Sequence, residues 1–114
     1  MGIAETQRQH EPMSLEAEHG VKYDEGKPRW DLLPMSQVED VVKVLTGGSL
    51  KYSDDNWKKI PNIQDRYFSA AMRHLTAQRD GERLDRESGL PHLSHAVCCL
   101  LFMAWEEGGK DGKV

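Results

Sequence analysis

Five side chains of the kinds that bind metal ions or transfer protons lie close together in the sequence: His74, Glu82, Asp85, His92 and His95. His92 and His95 are three residues apart, so a helix places both imidazoles on one face, within reach of one ion. Glu82 and Asp85 have the same spacing and share a face if their segment is helical, as hard oxygen ligands for Mg²⁺ or Mn²⁺. If this segment folds back as a tight hairpin, all five converge, and we predict catalytic roles for them.

Each histidine also has a structural interpretation. His74 lies on an apolar helical stripe, where a single histidine is more often a hydrogen-bonded core residue than a ligand. His92 follows Pro91 in a first helical turn, where a capping or surface role is common. The sequence leaves these interpretations open beside the functional one. A site of neutral imidazole and carboxylate favours Mn²⁺, Zn²⁺ or Fe²⁺ over Mg²⁺.

A second group combines basic and aromatic side chains. Arg and Lys bind phosphates well, and a neighbouring aromatic ring can stack on a base, so the group predicts a nucleotide ligand. The alternative is a set of scattered solvated charges. The predicted substrate-binding residues are the basic Lys22, Lys27, Arg29, Lys51 and Arg73 together with Tyr23, Trp30, Tyr52, Asn56 and Trp57.

Helical periodicity predicts the elements that must position these residues. The first helix has a cap at Ser36 and is expected to end at Gly47-Gly48. The second spans about Asn62 to Arg79, and the third, apolar nearly all round and therefore central, begins at Pro91 and ends at Glu107. A short helix or helical turn is expected between residues 49 and 59. The fold class is therefore all-α, a compact helical bundle.

An extended arm precedes the bundle. The segment 21–34 cannot form a long helix, because Pro28 and a second proline at its end each remove a backbone donor. One interpretation is a lid or phosphate clamp that closes over one end of the bundle. The other is a strap in which Trp30, Leu32 and Leu33 fill the core while the charged residues stay in water.

Charge and composition exclude several classes of protein. The chain has 15 Lys and Arg against 19 Asp and Glu, for a formal net charge of −4, so it lacks the basic excess that drives binding to nucleic-acid polymers. It has no apolar run long enough for a membrane span and no secretory signal, which predicts a cytoplasmic protein. The glycine motifs of kinases and dehydrogenases and the serine motif of esterases are absent.

The 114-residue length fits one domain. We expect a flexible tail over residues 1–20, a single helical nucleotide-binding domain over 21–108 and a second tail over 109–114. The two cysteines, Cys98 and Cys99, are adjacent within an apolar run, where a disulfide would be strained. They are predicted to be reduced and buried.

Four ordered motifs, spanning nearly everything from Val21 to Trp105, resemble the N-terminal domain of the bacteriophage dATP/dGTP diphosphohydrolase family. The motifs are Lys22-Tyr23-Asp24-x-Gly26-Lys27-Pro28-Arg29-Trp30-Asp31-Leu32-Leu33-Pro34, Lys51-Tyr52-x-Asp54-Asp55-Asn56-Trp57, Arg73-His74-Leu75 and Asp85-x-Glu87-Ser88-Gly89-Leu90-Pro91-His92-Leu93-x-His95-Ala96.

The resemblance implies a metal-dependent enzyme, using Mg²⁺ or Mn²⁺, that cleaves dATP and dGTP to monophosphate and pyrophosphate in the host cytoplasm. Its chemistry would be similar to that of all-α MazG-like pyrophosphohydrolases, in which carboxylates hold the ions. The MazG-like pattern is a Glu-Glu-x-x-Glu helix followed by Glu-x-x-Asp. This chain has Glu39-Asp40-Val41-Val42-Lys43, with Lys43 in place of the third carboxylate, and Glu82-x-x-Asp85 matches the second half. The metal ligands expected here are Asp54, Asp55, Asp85, His92 and His95.

Two other functions remain open. A domain that binds nucleotides without cleaving them would sequester a nucleotide second messenger of host immunity, and recovery of intact ligand would distinguish it from an enzyme. A structural adaptor would bind a phage or host protein through the arm and no small molecule. We also expect a homodimer or higher oligomer, with the site near a subunit interface, because the apolar third helix favours pairing.

Overall fold

A computed structural model describes residues 19–109. Within that range it contains no strand, and its one pairing of extended segments is an isolated antiparallel bridge between Leu84 and Pro91. The all-α class predicted from the sequence is therefore confirmed. The helical elements are a 3-10 turn at Trp30–Leu32, helix α1 (Met35–Lys51), a 3-10 turn at Asn56–Lys59, helix α2 (Ile63–Arg79) and helix α3 (His92–Glu107).

The chain divides into two compact units, Met1–Pro34 and Met35–Val114. Apart from residues 19, 20 and 109, the two predicted tails lie outside the described residues. No helix in the described range is long and apolar enough to cross a bilayer.

Residues 20–34 of the first unit form no long helix, as Pro28 and Pro34 predict. Gly26, with φ of +83°, allows a turn in which the Lys27 N–H donates to the Asp24 carbonyl at 3.0 Å. A 3-10 turn follows at Trp30–Leu32. The lid and the core-filling strap both concern the placement of this unit against the other, so both interpretations stay predictions.

Helix α1 passes through Gly47 and Gly48, where the sequence predicted its end. A glycine that ends a helix usually takes a left-handed conformation, which neither of these adopts. The Tyr52 N–H instead donates to the Gly48 carbonyl at 3.0 Å, so helical hydrogen bonding continues to Lys51. The predicted end was wrong because glycine permits a stop without requiring one, and the left-handed residue here is Asp55 (φ of +57°).

Replacing Gly48 with Ala is expected to stabilise the chain by about 0.5–1 kcal/mol, because Ala has less backbone entropy to lose in a helix. A Cβ at Gly48 would meet no atom within 4 Å. The measurement is a urea unfolding curve, with a higher midpoint and an unchanged slope. The matched control is Gly81→Ala, which should destabilise, because Gly81 has a φ of +104°. A lower midpoint for Gly48→Ala would contradict the argument.

Helix α3 is central, as predicted. It packs against both α1 and α2, and the Cys98 thiol lies 3.5 Å from the Val41 carbonyl of α1. Its buried residues are His92, Ser94, Ala96, Cys98 and Cys99. Helix α2 has the predicted extent and buries Ile63 and Ala71.

An aromatic cluster anchors the chain between α1 and α2. The ring of Trp57 stacks on Phe102 of α3, with centroids 4.2 Å apart and an interplanar angle of 16°. Trp57 also meets the edge of Trp105 at 4.9 Å, and Tyr67 of α2 meets Phe102 at 4.9 Å. The short helix predicted in this region is a 3-10 turn of four residues, Asn56–Lys59. The cluster holds this turn against α3, which positions the residues before it.

The two cysteines are free and buried, as predicted. Burial raises the pKa of the Cys98 thiol to about 12, and it also raises the pKa of Cys99. Because the thiolate is the reactive form, we expect neither to react with a disulfide reagent at pH 8 while the chain is folded. Two equivalents should react after unfolding in guanidinium, and rapid labelling of the folded chain would contradict the burial.

Candidate functional site

The segment between α2 and α3 is a hydrogen-bonded turn and not a helix. The Asp85 N–H donates to the Leu90 carbonyl at 2.8 Å, and the His92 N–H donates to the Arg83 carbonyl at 2.9 Å. Gly89, with φ of +75°, allows the chain to reverse. The helical spacing considered for Glu82 and Asp85 is therefore wrong. Their side chains nevertheless meet the histidines, because the turn folds back on the ends of α2 and α3.

His92 lies at the centre of this cluster and is buried. Its Nδ1 is 2.8 Å from Nδ1 of His74, and its Nε2 is 3.0 Å from Oε1 of Glu82. Arg86 donates to the other oxygen of Glu82 at 2.5 Å, and Arg86, followed by His92, lowers the pKa of that carboxyl. An ionised carboxylate only accepts hydrogen bonds, so His92 Nε2 donates to Glu82. In a neutral ring the Nδ1 of His92 is then the acceptor, and Nδ1 of His74 is the donor of the 2.8 Å contact.

His95 stacks on His74, with ring centroids 4.6 Å apart and an interplanar angle of 13°. Its Nε2 is 2.7 Å from Ser88 Oγ and 3.9 Å from Asp85 Oδ2. Burial lowers the pKa of both His74 and His95, and neighbouring imidazoles lower that of His74 further. The two rings are therefore neutral at pH 7, with lone pairs available.

Asp85 stays ionised in this environment. Its Oδ2 accepts the N–H groups of Glu87 and Ser88 at 3.1 and 2.9 Å. Burial opposes ionisation of Asp85, but the hydrogen bonds from Ser88 outweigh it and lower the pKa. The turn thus holds a carboxylate beside two neutral imidazoles.

Three of these side chains could hold a metal ion. His74, Asp85 and His92 each offer one ligand atom, and the three atoms lie within 4.8 Å of one another. Two imidazole nitrogens and a carboxylate oxygen are a donor set that fits a divalent transition metal.

The other predicted ligands, Asp54 and Asp55, lie outside this cluster. Asp54 accepts a hydrogen bond from Ser49, and Asp55 lies 4.0 Å from the Lys58 ammonium. Both aspartates line the neighbouring groove.

A groove of about 1060 Å³ adjoins the cluster. Its volume is at the upper end of the range for small-molecule sites. Its walls are the C-terminal half of α1, the chain between α1 and α2, Tyr67 of α2, the turn after α2 and part of α3. It unites two motifs that are distant in the sequence, and the predicted site residues along it are Lys51, Tyr52, Asp54, Asp55, Asn56, Trp57, Asp85 and His95.

Within the groove, Lys51 and Tyr52 are the exposed members of the predicted binding set. The Lys51 ammonium is 2.7 Å from Glu87 Oε2 and 5.2 Å from the centre of the Tyr52 ring. Tyr52 is 63% exposed, whereas one face of Trp57 is occupied by Phe102. Tyr52 therefore has the ring surface that a base could stack on.

The remaining predicted binding residues lie elsewhere. Arg73 is exposed on α2 and does not line the groove. Arg29 forms an ion pair with Asp31 at 2.5 Å, which lowers the pKa of the Asp31 carboxyl. Because it belongs to the first unit, the role of Arg29 in the site stays a prediction. The same holds for the other predicted residues of that unit, Lys22, Tyr23, Lys27 and Trp30.

Two residues of the site were missed by the sequence analysis, Glu87 and Ser88. Both line the groove, Glu87 pairs with Lys51, and Ser88 contacts His95. Their position between Asp85 and His92 was the available signal, since a turn that unites those two must also bring its own side chains to the site.

The arrangement combines two chemical capacities. The groove offers an exposed ring beside an ammonium group, which suits an aromatic anion. The cluster at its edge offers neutral imidazoles and an ionised carboxylate, which can accept a proton or bind a divalent cation.

Comparisons with known proteins identify the family of this chain. The family described as "dATP/dGTP diphosphohydrolase, N-terminal" matches residues 17–113. A protein of Salmonella phage PMBT28 named dATP/dGTP diphosphohydrolase is 34% identical over 86 residues, which are 75% of this chain and 29% of that relative. The chain thus spans less than a third of the length of that relative, and no solved structure matches it. This chain belongs to the dATP/dGTP diphosphohydrolase N-terminal family.

Proposed function

We propose that this chain hydrolyses the purine deoxynucleoside triphosphates dATP and dGTP to monophosphate and pyrophosphate, with Mg²⁺ or Mn²⁺ as cofactor. The observation that carries the proposal is that the groove and the histidine–carboxylate cluster have two residues in common. Asp85 and His95 belong to both, so a nucleotide in the groove lies against proton-accepting groups. The name of the phage relative supports the same reaction.

Substrate binding rests on Tyr52 and Lys51. The exposed Tyr52 ring stacks on the purine, and Lys51 holds a phosphate oxygen. In the absence of nucleotide, Lys51 forms an ion pair with Glu87. Because both side chains are exposed, this pair is weak, and a phosphate can displace Glu87 from Lys51.

Proton transfer is assigned to Ser88 and His95. The Leu90 N–H donates to Ser88 Oγ at 3.1 Å, so the Ser88 hydroxyl proton is directed at His95 Nε2. As water attacks the α-phosphorus of the nucleotide, the water proton passes to Ser88 Oγ and the Ser88 hydroxyl proton passes to His95 Nε2. The new P–O bond forms while the bond to the pyrophosphate oxygen breaks, and pyrophosphate leaves with the electron pair. Asp85, 3.9 Å away, stabilises the imidazolium that results.

A divalent ion, when bound, would polarise a phosphate oxygen and make the attacking water more acidic. Of the two ions, Mn²⁺ fits the donor set of His74, Asp85 and His92.

A homo-oligomer remains part of the proposal. Helix α3 exposes Val97, Leu100 and Leu101 at 41%, 56% and 50%, and Leu101 also lines the groove. Self-association would cover this apolar surface.

The test is incubation of purified protein with dATP or dGTP in Mn²⁺ or Mg²⁺, followed by denaturation and chromatography of every nucleotide. We expect monophosphate and pyrophosphate in equal amounts, lost with a chelator and strongly reduced in His95→Gln. Intact nucleotide, depleted from solution and recovered after denaturation, would overturn hydrolysis in favour of sequestration. A protein that binds no nucleotide would overturn both in favour of the adaptor.

Glu87→Gln is expected to tighten the binding of inorganic pyrophosphate about threefold, because it frees Lys51 from a weak exposed ion pair. Titration calorimetry at low salt measures the affinity. In a Lys51→Met background the same change should have no effect. Equal tightening in both backgrounds would mean that Glu87 only repels anions, and would contradict its competition for Lys51.

A further inference from the structure

We infer that His74, Asp85 and His92 form a site for one divalent transition-metal ion, of the class of Mn²⁺, Fe²⁺, Co²⁺ and Zn²⁺, in preference to Mg²⁺. Glu82 acts as a positioning residue that orients His92. The catalytic meaning of this metal centre rests on the proposed function, but its existence does not. It also differs from the sequence prediction, since it includes His74 and leaves out His95 and both groove aspartates.

The spacing of the two imidazoles supports a shared ion. Two nitrogen ligands at about 2.1 Å from one ion lie about 3.0–3.4 Å apart. The Nδ1 atoms of His74 and His92 are 2.8 Å apart, so a displacement of a few tenths of an ångström gives the spacing of a chelate. Metal binding requires the proton on His74 Nδ1 to move to His74 Nε2, which leaves a lone pair on both Nδ1 atoms. One ligand atom from each of His74, Asp85 and His92 lies within 4.8 Å of the other two.

The partner of His92 fixes the ring in the form that a metal needs. Because Glu82 accepts the Nε2 proton at 3.0 Å, the Nδ1 lone pair of His92 points to His74. Arg86 in turn holds Glu82. A carboxylate that orients a ligating histidine in this way is a common feature of metal centres.

His95 has a different role because of its geometry. Its Nε2 is occupied by Ser88 at 2.7 Å, and its ring lies flat on His74. It therefore supports the His74 ring by stacking and stays available for proton transfer.

The donor set decides the class of ion. Imidazole nitrogen suits Mn²⁺, Fe²⁺, Co²⁺ and Zn²⁺, whereas Mg²⁺ prefers an all-oxygen octahedral shell. Three protein ligands leave coordination positions open for water or a phosphate oxygen.

The test is a Co²⁺ titration of untagged, chelator-treated protein without nucleotide, followed by visible absorption of the bound ion. We expect one equivalent of Co²⁺, a rise in Tm on binding, and no displacement by a tenfold excess of Mg²⁺. His74→Gln should weaken Co²⁺ binding by at least about 100-fold, and Glu82→Gln by about 10-fold or more. His95→Gln, the matched control, should change the affinity less than threefold.

Three outcomes would overturn the inference. These are no binding by the original chain, loss of binding in His95→Gln but not in His74→Gln, and ready displacement by Mg²⁺. If His74→Gln does not fold, Glu82→Gln gives the decision, because its side chain is one-third exposed and tolerates an isosteric change. Co²⁺ binding without nucleotide hydrolysis would overturn the proposed function alone, and Mg²⁺-dependent hydrolysis without Co²⁺ binding would overturn this inference alone.

Discussion

His92→Gln is expected to lower kcat/KM for dATP by about 100-fold or more while the chain stays folded. The amide nitrogen of Gln can take the place of His92 Nε2 and donate to Glu82, which keeps the contact with that carboxylate. It offers no counterpart to Nδ1, so the contact with His74 and the lone pair for a metal are both lost. Steady-state kinetics give the activity, and circular dichroism gives the fold.

The matched variant is His92→Ala. Because His92 is buried, Ala leaves a cavity and removes the partners of both His74 and Glu82. We expect a loss of about 2–4 kcal/mol in the free energy of unfolding. Near-normal activity in His92→Gln would mean that His92 is a core histidine and that the catalytic groups lie elsewhere.

Trp57→Ala is expected to reduce the free energy of unfolding by about 3 kcal/mol. Trp57 stacks on Phe102 and meets the edge of Trp105, so its loss opens the contact that holds the α1–α2 connection against α3. Guanidinium unfolding followed by circular dichroism at 222 nm measures the change.

Tyr52→Ala serves as the control, because it should leave the free energy of unfolding nearly unchanged and weaken nucleotide binding instead. Its ring is 63% exposed, so we expect unfolding to change by less than about 0.5 kcal/mol. If the ring stacks on the base, the affinity for dATP should fall about 10-fold. Strong destabilisation by Tyr52→Ala, or unchanged stability in Trp57→Ala, would reverse the assigned roles.

Some features of the site were predictable because they depend on local chemistry. Prolines in 21–34 predicted the irregular arm, and apolar spacing predicted the extents of α2 and α3 within one or two residues. The end of α1 was mispredicted at Gly47-Gly48, since the same glycines are compatible with a helix and with its end. The helical spacing considered for Glu82 and Asp85 does not occur, because hydrogen bonds between the two ends of the connecting turn set its shape.

The sequence by itself determined the all-α class, the central position of α3 and the family, because these follow from residue types at short spacing. Only the tertiary structure decided which side chains meet. His74 and His92 come within 2.8 Å, and Lys51 and Glu87 within 2.7 Å, although each pair is distant along the chain. The physical reason is that such contacts depend on how a turn closes, and closure is set by backbone hydrogen bonds and helix packing that no local pattern encodes.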